Sequence, residues 1–354
     1  MIYDTHPLYA GRPGTVGNRG GNFVVQNSDL LISFGCRMNI RQISYEWKKF
    51  AKYAYKIAID IDENELKKPT LNIDYPIHAD ILDVFQEILQ VDYIPNNNHE
   101  GWVQWCKNIN EKYPIMVKDY LVKKEPINPY AFMDTLSKNI EKNDIIVASN
   151  GTACVCAFQA IEMQKGQRMF TNAGASSMGY GLPAAIGAAI SVNNCEKIIC
   201  LEGDGSIQMN IQELQTVVHH SLNIKIFWLN NDGYHSIRQT QAQSFKGEEK
   251  GYCGVSSLSG ISFPSAKKIA EAYGIKYVLI DSLITITSKL KEVLNNEDPI
   301  ICEVILDKQQ AFEPKLSSKV SPDGTITSPS LEDMSPFLEE EEMNENMIAW
   351  KDGR

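Results

Sequence analysis

The eight cysteines of this chain include no paired C-x-x-C motif. Zinc ribbons and thioredoxin-like redox sites require such pairs, so both are excluded, and the thiols read as reduced side chains of a cytoplasmic protein. No basic patch is present either, and the formal net charge is -10. Phosphate-backbone binding needs clustered Lys and Arg, so no nucleic-acid partner is expected. The N-terminus lacks a charged-then-apolar segment, and no secretory signal is expected. The longest nearly uncharged apolar stretch, residues 182–192, is too short and too rich in Gly and Ala to span a bilayer. No G-x-G-x-x-G turn follows an apolar strand, which removes the fingerprint of a nucleotide-dependent dehydrogenase. What remains is a chain with 43% hydrophobic and 22% charged residues, ordinary for a globular protein and long enough for two cored domains.

Short apolar runs punctuate the first region: Val24-Val25, residues 30–34 and residues 57–61. Such runs suit buried parallel strands, and Ile81, Val84, Phe85 and Ile88 then follow helical spacing. Residues 96–127 hold Pro114, Pro126, Trp102, Trp105 and Tyr113, which predict a packed helical connection with looser ends. From Asn128 onward, apolar runs at 145–148, 197–201, 224–229 and 299–304 alternate with helical patterns. That alternation predicts a second parallel sheet covered by helices on both faces. Domain bounds follow at 1–95, 96–127, 128–311 and 312–354. The tail carries the run Glu339 to Glu342, which reads as a solvated acidic surface.

The informative chemistry lies in two polar turns. One apolar run leads into Gly203-Asp204-Gly205-Ser206, and the next leads into Asn230-Asn231-Asp232-Gly233. Ile211, Leu214, Val217 and Val218 give the connecting helix its apolar face. Strand, helix and parallel strand form a right-handed crossover, so both turns emerge at the same carboxyl edge, where open α/β sheets bind ligands. Asp204 offers a carboxylate oxygen, Asn231 an amide oxygen, and Gly233 a backbone carbonyl. A few hard oxygens of this kind suit Mg²⁺, which completes its octahedron with phosphate and water. Gly203 and Gly205 let the backbone approach a phosphate closely. A metal-bridged diphosphate is the expected occupant.

Gly-Asp-Gly followed by Asn-Asn at this separation resembles the signature of thiamine diphosphate-dependent enzymes, and the wider pattern is similar to the acetolactate synthase large subunit. The resemblance implies an α/β fold of parallel sheets flanked by helices: a doubly wound diphosphate-binding domain preceded by a partial central α/β domain. It implies that Asp204, the Asn231 side chain and the Gly233 carbonyl hold Mg²⁺ against thiamine diphosphate. The segment from Gly174 to Gly187 is similar to the one in which a residue matching Met178 supports the bent cofactor; the alternative is a core methionine beside a helix start. Ser177, Ser206 and Tyr234 join the cofactor-binding set on the same ground. Gly151 and Thr152 stand where the family places a diphosphate-touching loop, and a simple turn is the alternative reading. The segments His6-Pro7-Leu8-Tyr9 and Gly35-Cys36-Arg37 extend the resemblance into the central domain. Arg37, Asp60 and Asp80 match positions near FAD in flavin-containing members, but half of that domain has no counterpart here and FAD is not predicted.

Departures from the family pattern bear on function. The pyrimidine-binding domain and its activating glutamate find no match, so the catalytic residues are unknown and activity is expected only with a pyrimidine domain supplied elsewhere. The expected reaction is decarboxylation and carboligation of a 2-oxo acid by a homo-oligomer or by a complex with a partner chain. A non-catalytic cofactor-binding or oligomerising remnant is the alternative. Thr240 stands where acetolactate synthases commonly carry a tryptophan, which removes a large apolar wall and predicts a bulkier or more polar acceptor. His235 reads either as a proton donor or as a polar residue at a pocket rim.

Overall fold

The computed structural model describes residues 2–95, 98–245, 247–320 and 326–348. Two compact units emerge, residues 1–9 with 116–312 and residues 10–115 with 313–354. The division differs from the expected bounds at the linker and the tail, for reasons visible in the contacts of the second unit.

In that unit, β1 (Leu30–Phe34), β2 (Tyr55–Asp60) and β3 (Tyr75–His78) form a parallel sheet in the order β1-β2-β3. Val24 and Val25 are not a strand but part of helix α1 (Arg19–Asn27). Asn18 caps that helix by accepting the Gly21 N–H, and a two-residue apolar run is too short to hold a ladder against such a start signal. Helix α2 (Ile81–Ile88) begins where Asp80 accepts the Leu82 N–H. Asp80 is thus an N-cap. The supposed linker forms α3 (Asn98–Lys112), with Trp102 and Trp105 stacked at 5.1 Å, and it packs on α1.

The tail joins the same unit through buried polar contacts with α1. Arg19 donates to the Pro336 carbonyl at 2.6 Å, Asn22 to the Leu331 carbonyl at 2.9 Å, and Gln26 to Glu332 at 2.6 Å. The acidic run opens α4 of the tail (Glu340–Asn346), where negative charge suits the helix N-terminus. It is not merely solvated, since Glu342 accepts from the Tyr113 hydroxyl at 2.5 Å and pairs with Lys112 at 3.3 Å.

The larger unit holds a six-stranded sheet in the order β5-β4-β6-β7-β9-β8, and every neighbouring pair is parallel. Its strands are β4 (Ile145–Ala148), β5 (Arg168–Phe170), β6 (Ile198–Gly203), β7 (Ile224–Asn230), β8 (Lys276–Ile280) and β9 (Ile300–Ile305). The central strands are nearly continuous apolar runs because helices cover both faces. Helix α5 (Gly181–Ser191), helix α6 (Leu214–His219) and helix α7 (Ala266–Tyr273) contribute to the core cluster on one face. Strand order reverses between β4 and β6: the chain moves outward to β5, then returns past β4 to build β6 and β7. That reversal is the topological switch point at which open α/β sheets bind ligands. Register fixes what emerges there. Gly203 pairs with Leu229, and the Asp204 N–H donates to the Leu229 carbonyl at 3.2 Å, so the two polar turns leave the sheet side by side. Among the described residues no helix is long and apolar enough to cross a membrane.

Candidate functional site

Five of the residues singled out in the sequence are joined by direct hydrogen bonds, Asp204 with Gly205 and Gly233, and Asn231 with Thr152. Asp204, 2% exposed, accepts the Gly205 N–H on Oδ1 at 2.7 Å and the Gly233 N–H on Oδ2 at 2.9 Å. Burial pushes its carboxyl up from 3.8 to about 6, against the lowering effect of those backbone donors. Asn231 donates from Nδ2 to the Thr152 hydroxyl at 3.1 Å, which fixes the amide so that Oδ1 points elsewhere. That buried Oδ1 has no hydrogen-bond partner. A buried amide oxygen without a donor is costly unless something else ligates it.

Gly233 is held by backbone geometry. Its φ is +128°, and a Cβ there would lie 2.0 Å from the Val255 carbonyl oxygen. Only glycine tolerates this conformation at so close an approach. Next in the chain, the Tyr234 N–H donates to that same Val255 carbonyl at 2.8 Å, and the Tyr234 ring meets Phe263 edge-on at 5.7 Å. Gly205 packs under the Tyr234 ring, with room for no side chain.

Ser206 ties the switch point together. Its hydroxyl accepts the Gly179 N–H at 2.9 Å and lies 3.1 Å from the Ser149 hydroxyl, joining the turns after β4 and β6 to the loop before α5. The Asn150 amide donates to the Ser176 carbonyl at 3.2 Å, and the Asn210 amide to the Gly179 carbonyl at 2.8 Å. Ser177 and Met178 sit on that loop with their side chains outside the hydrogen-bonded cluster. Ser177 is exposed and accepts from Asn172 at 3.3 Å, and Met178 is 37% exposed. The core-methionine reading of Met178 therefore does not hold. Gly151 takes φ +58° at the start of helix α8 (Thr152–Ala160) and faces the Ser236 hydroxyl.

Two residues of the site carried no role in the sequence reading. Glu202, fully buried at the end of β6, lies beside the N–H groups of Gly181 and Leu182 and the hydroxyls of Ser149 and Ser206. Neither of its oxygens completes a hydrogen bond of normal geometry, and burial pushes its carboxyl up. A glutamate ending a wholly apolar strand was the available signal. Arg238, on helix α9 (His235–Ser244), folds back onto the turn that carries Asn231. His235 is 5% exposed, with Nε2 2.8 Å from the Gln310 carbonyl and 2.6 Å from the Gln239 amide nitrogen. Those contacts make it a buried structural imidazole rather than a rim residue.

The cluster as a whole fits a cation bridged to a phosphate. It has one carboxylate, one unpartnered amide oxygen and a glycine carbonyl at a switch point, an oxygen set that matches a small hard divalent ion. No group of three or more His, Cys, Asp or Glu side chains suited to a metal occurs among the described residues. A site built from one carboxylate, one amide and one backbone oxygen does not need such a group.

Comparison with known proteins gives the family. Residues 149–304 match the family described as thiamine pyrophosphate enzyme, C-terminal TPP binding domain, and residues 1–88 match the thiamine pyrophosphate enzyme central domain. The chain is 34% identical over 341 residues to a probable acetolactate synthase large subunit of Methanococcus aeolicus, covering 92% of this chain and 54% of that protein. It is 29% identical to the acetolactate synthase isozyme 1 large subunit of Escherichia coli, covering 89% of this chain and 53% of that one. A Lactococcus lactis acetolactate synthase large subunit is also 29% identical, over 91% of this chain and 54% of its own length. The chain spans about half the length of the curated relatives it matches.

Proposed function

The chain belongs to the thiamine pyrophosphate enzymes and is acetolactate synthase-like, and from that premise we propose that it grips the diphosphate end of thiamine diphosphate through Mg²⁺ for decarboxylation and carboligation of a 2-oxo acid. The observation that carries this reading is the buried Asn231 Oδ1, which has no partner, beside the Asp204 carboxylate. Asp204, Asn231 and the Gly233 carbonyl would ligate the metal. Gly151, Thr152, Gly203, Gly205 and Ser206 would shape the diphosphate cradle, with Ser177, Met178 and Tyr234 at its margin. When bound, the cofactor supplies an electron sink for loss of carbon dioxide from the 2-oxo acid. The chain's own contribution is positional: Thr152 orients the Asn231 amide, and the backbone donors of Gly205 and Gly233 hold the Asp204 carboxylate.

The pyrimidine half of the site, with its activating acid, comes in this proposal from outside residues 1–354, in the same or another polypeptide of an oligomer. Thr240 supports an acceptor that is bulkier or more polar than a small 2-oxo acid, because its exposed side chain spends its hydroxyl on the Ser236 carbonyl at 3.1 Å and builds no apolar wall. Eight free cysteines support a cytoplasmic setting. The test is a thermal melt of the full chain with thiamine diphosphate, in MgCl₂ and in chelator. The melting temperature should rise only with Mg²⁺ present, and Asp204→Ala should abolish the rise. An equal rise in chelator would refute the metal bridge.

A further inference from the structure

Along β9 the apolar run from Ile300 to Ile305 is broken by one carboxylate, Glu303. In register it stands between Trp228 of β7 and Leu279 of β8. Side chains of those two strands occupy both of its oxygens. The Tyr277 hydroxyl donates to Oε2 at 2.5 Å, and Asn230 Nδ2 donates to Oε1 at 2.7 Å. Asn230 is the last residue of β7, where the turn proposed to hold the metal begins. Its own Oδ1 accepts the Asp232 N–H at 3.1 Å, which closes an Asx turn around Asn231. Asp232 has a φ of +57°, a left-handed conformation that is unfavourable for an L-residue and is held by local hydrogen bonds of this kind. The next N–H along the chain, that of Gly233, donates to Asp204 Oδ2 at 2.9 Å.

We propose that Glu303 is a positioning residue for the metal turn, fixing through Asn230 the Asx turn that sets the backbone of Asn231. The inference rests on the metal-site reading above. The link is directional. A carboxylate accepts hydrogen bonds and does not donate them, so the Asn230 amide must turn its NH₂ group toward Glu303. Its oxygen is then left facing the Asp232 N–H. The reversed amide would set oxygen against carboxylate and NH₂ against N–H, and both bonds would be lost. Tyr277 donates to the same carboxylate and so holds it from the neighbouring strand. The other side-chain ties of Asp232, from the Ser257 hydroxyl at 2.8 Å and Lys308 at 3.3 Å, act on its carboxylate and not on its N–H. With the Asx turn closed, Asn231 is held on both sides, and its amide can bond Thr152 while the buried Oδ1 keeps no hydrogen-bond partner.

Two measurements on the full chain test this. Amide hydrogen exchange in chelator reads the turn without metal, and calorimetric titration of MgCl₂ with thiamine diphosphate in excess reads the ligands. In Glu303→Leu the peptide covering residues 229–235 should exchange roughly tenfold faster, the scale of one lost hydrogen bond, while residues 145–148 stay as protected as in wild type. Mg²⁺ binding should weaken roughly tenfold, as for groups behind a metal's direct ligands. Glu303→Gln should stay within about twofold of wild type in both, because its amide oxygen can accept from Asn230 while its NH₂ donates to the Tyr277 hydroxyl. Unchanged Mg²⁺ affinity in folded Glu303→Leu overturns the proposal, whatever the exchange rate, and so does a Glu303→Gln variant as weak as Glu303→Leu. Should Glu303→Leu fail to fold, Asn230→Ala removes the Asx turn itself, and unchanged Mg²⁺ affinity there overturns the proposal equally. Mg²⁺ binding that Asp204→Ala leaves intact would instead overturn the metal-site reading, and the positioning role with it.

Discussion

Removing the negative charge of Asp204 should alter the pH dependence of folding in a calculable way. In the metal-free fold its carboxyl is pushed up from 3.8 to about 6, chiefly by burial. A group that binds its proton more tightly when folded favours the native state at low pH. Its contribution is fully present below about 3.8 and is lost as pH rises to about 6, beyond which the loss is complete. At about 1.4 kcal/mol for each tenfold change in proton affinity, the loss comes to about 3 kcal/mol. Asp204→Asn removes this titration. The substitution also gives up at least one of the backbone donors held by the carboxylate, a cost of about 1–3 kcal/mol that does not vary with pH. In chelator, urea unfolding of both proteins between pH 4 and pH 7.5 should therefore yield a stability difference that shifts by about 2.4 kcal/mol in favour of the Asn variant as pH rises, since the unfolded carboxyl is already partly ionised at pH 4. Other titrating groups are common to both chains and cancel. With Mg²⁺ and thiamine diphosphate the proton and the metal compete for one carboxylate, so wild-type Mg²⁺ affinity should fall about tenfold per pH unit below about 6. A wild-type-minus-variant difference that stays flat across the range would refute the buried-carboxylate reasoning.

Two further substitutions probe the geometry around that group. Gly233→Ala must place a Cβ 2.0 Å from a backbone oxygen at a φ of +128°, so it should destabilise the chain by about 3 kcal/mol or more, read as a lower urea midpoint, and abolish the Mg²⁺-dependent thermal shift. Thr152→Val keeps shape but removes the acceptor that orients the Asn231 amide; calorimetry should find Mg²⁺ binding weakened roughly tenfold with thiamine diphosphate present, while the metal-free melting temperature moves little.

How much of this was legible in the sequence follows from how local each signal is. The four inner strands β4, β6, β7 and β9 are apolar runs buried on both faces, and their pattern alone located them. Strands β3, β5 and β8 went unread because each lies at a sheet edge, where short length, Pro76, Arg168 and Lys276 are tolerated and the apolar run breaks up. The tail looked like a free end because its ties to α1 are side-chain hydrogen bonds spanning about three hundred positions, which no local pattern encodes. In the site, Asp204, Asn231 and Gly233 were readable because two adjacent parallel strands deliver them to one edge. Arg238 was not, since its role depends on the guanidinium folding back seven residues to a carbonyl and meeting Glu249 across a loop. Long flexible side chains place chemistry that spacing alone does not reveal.

The same contacts bear on why the proposed diphosphate site would need a metal. Helix N-termini attract phosphate through unpaired N–H groups, and α5 begins beside the switch point at Gly181. Yet the Glu202 carboxylate already lies against the Gly181 and Leu182 N–H groups, and a Cβ on Gly181 would fall 2.2 Å from Glu202 Oε2. That helix start has a resident acid, so it offers a second anion little. Asp204 adds another buried acid two residues on. Arg238, the buried cation of the neighbouring helix, is matched by Glu249 and turned toward carbonyls. An anionic diphosphate approaching this edge therefore meets two carboxyl groups and a neutralised arginine. A divalent cation ligated by Asp204 and Asn231, as proposed, would reverse that balance. The proposed Mg²⁺ would on this reasoning be required for the diphosphate to bind, rather than being only an aid to orientation.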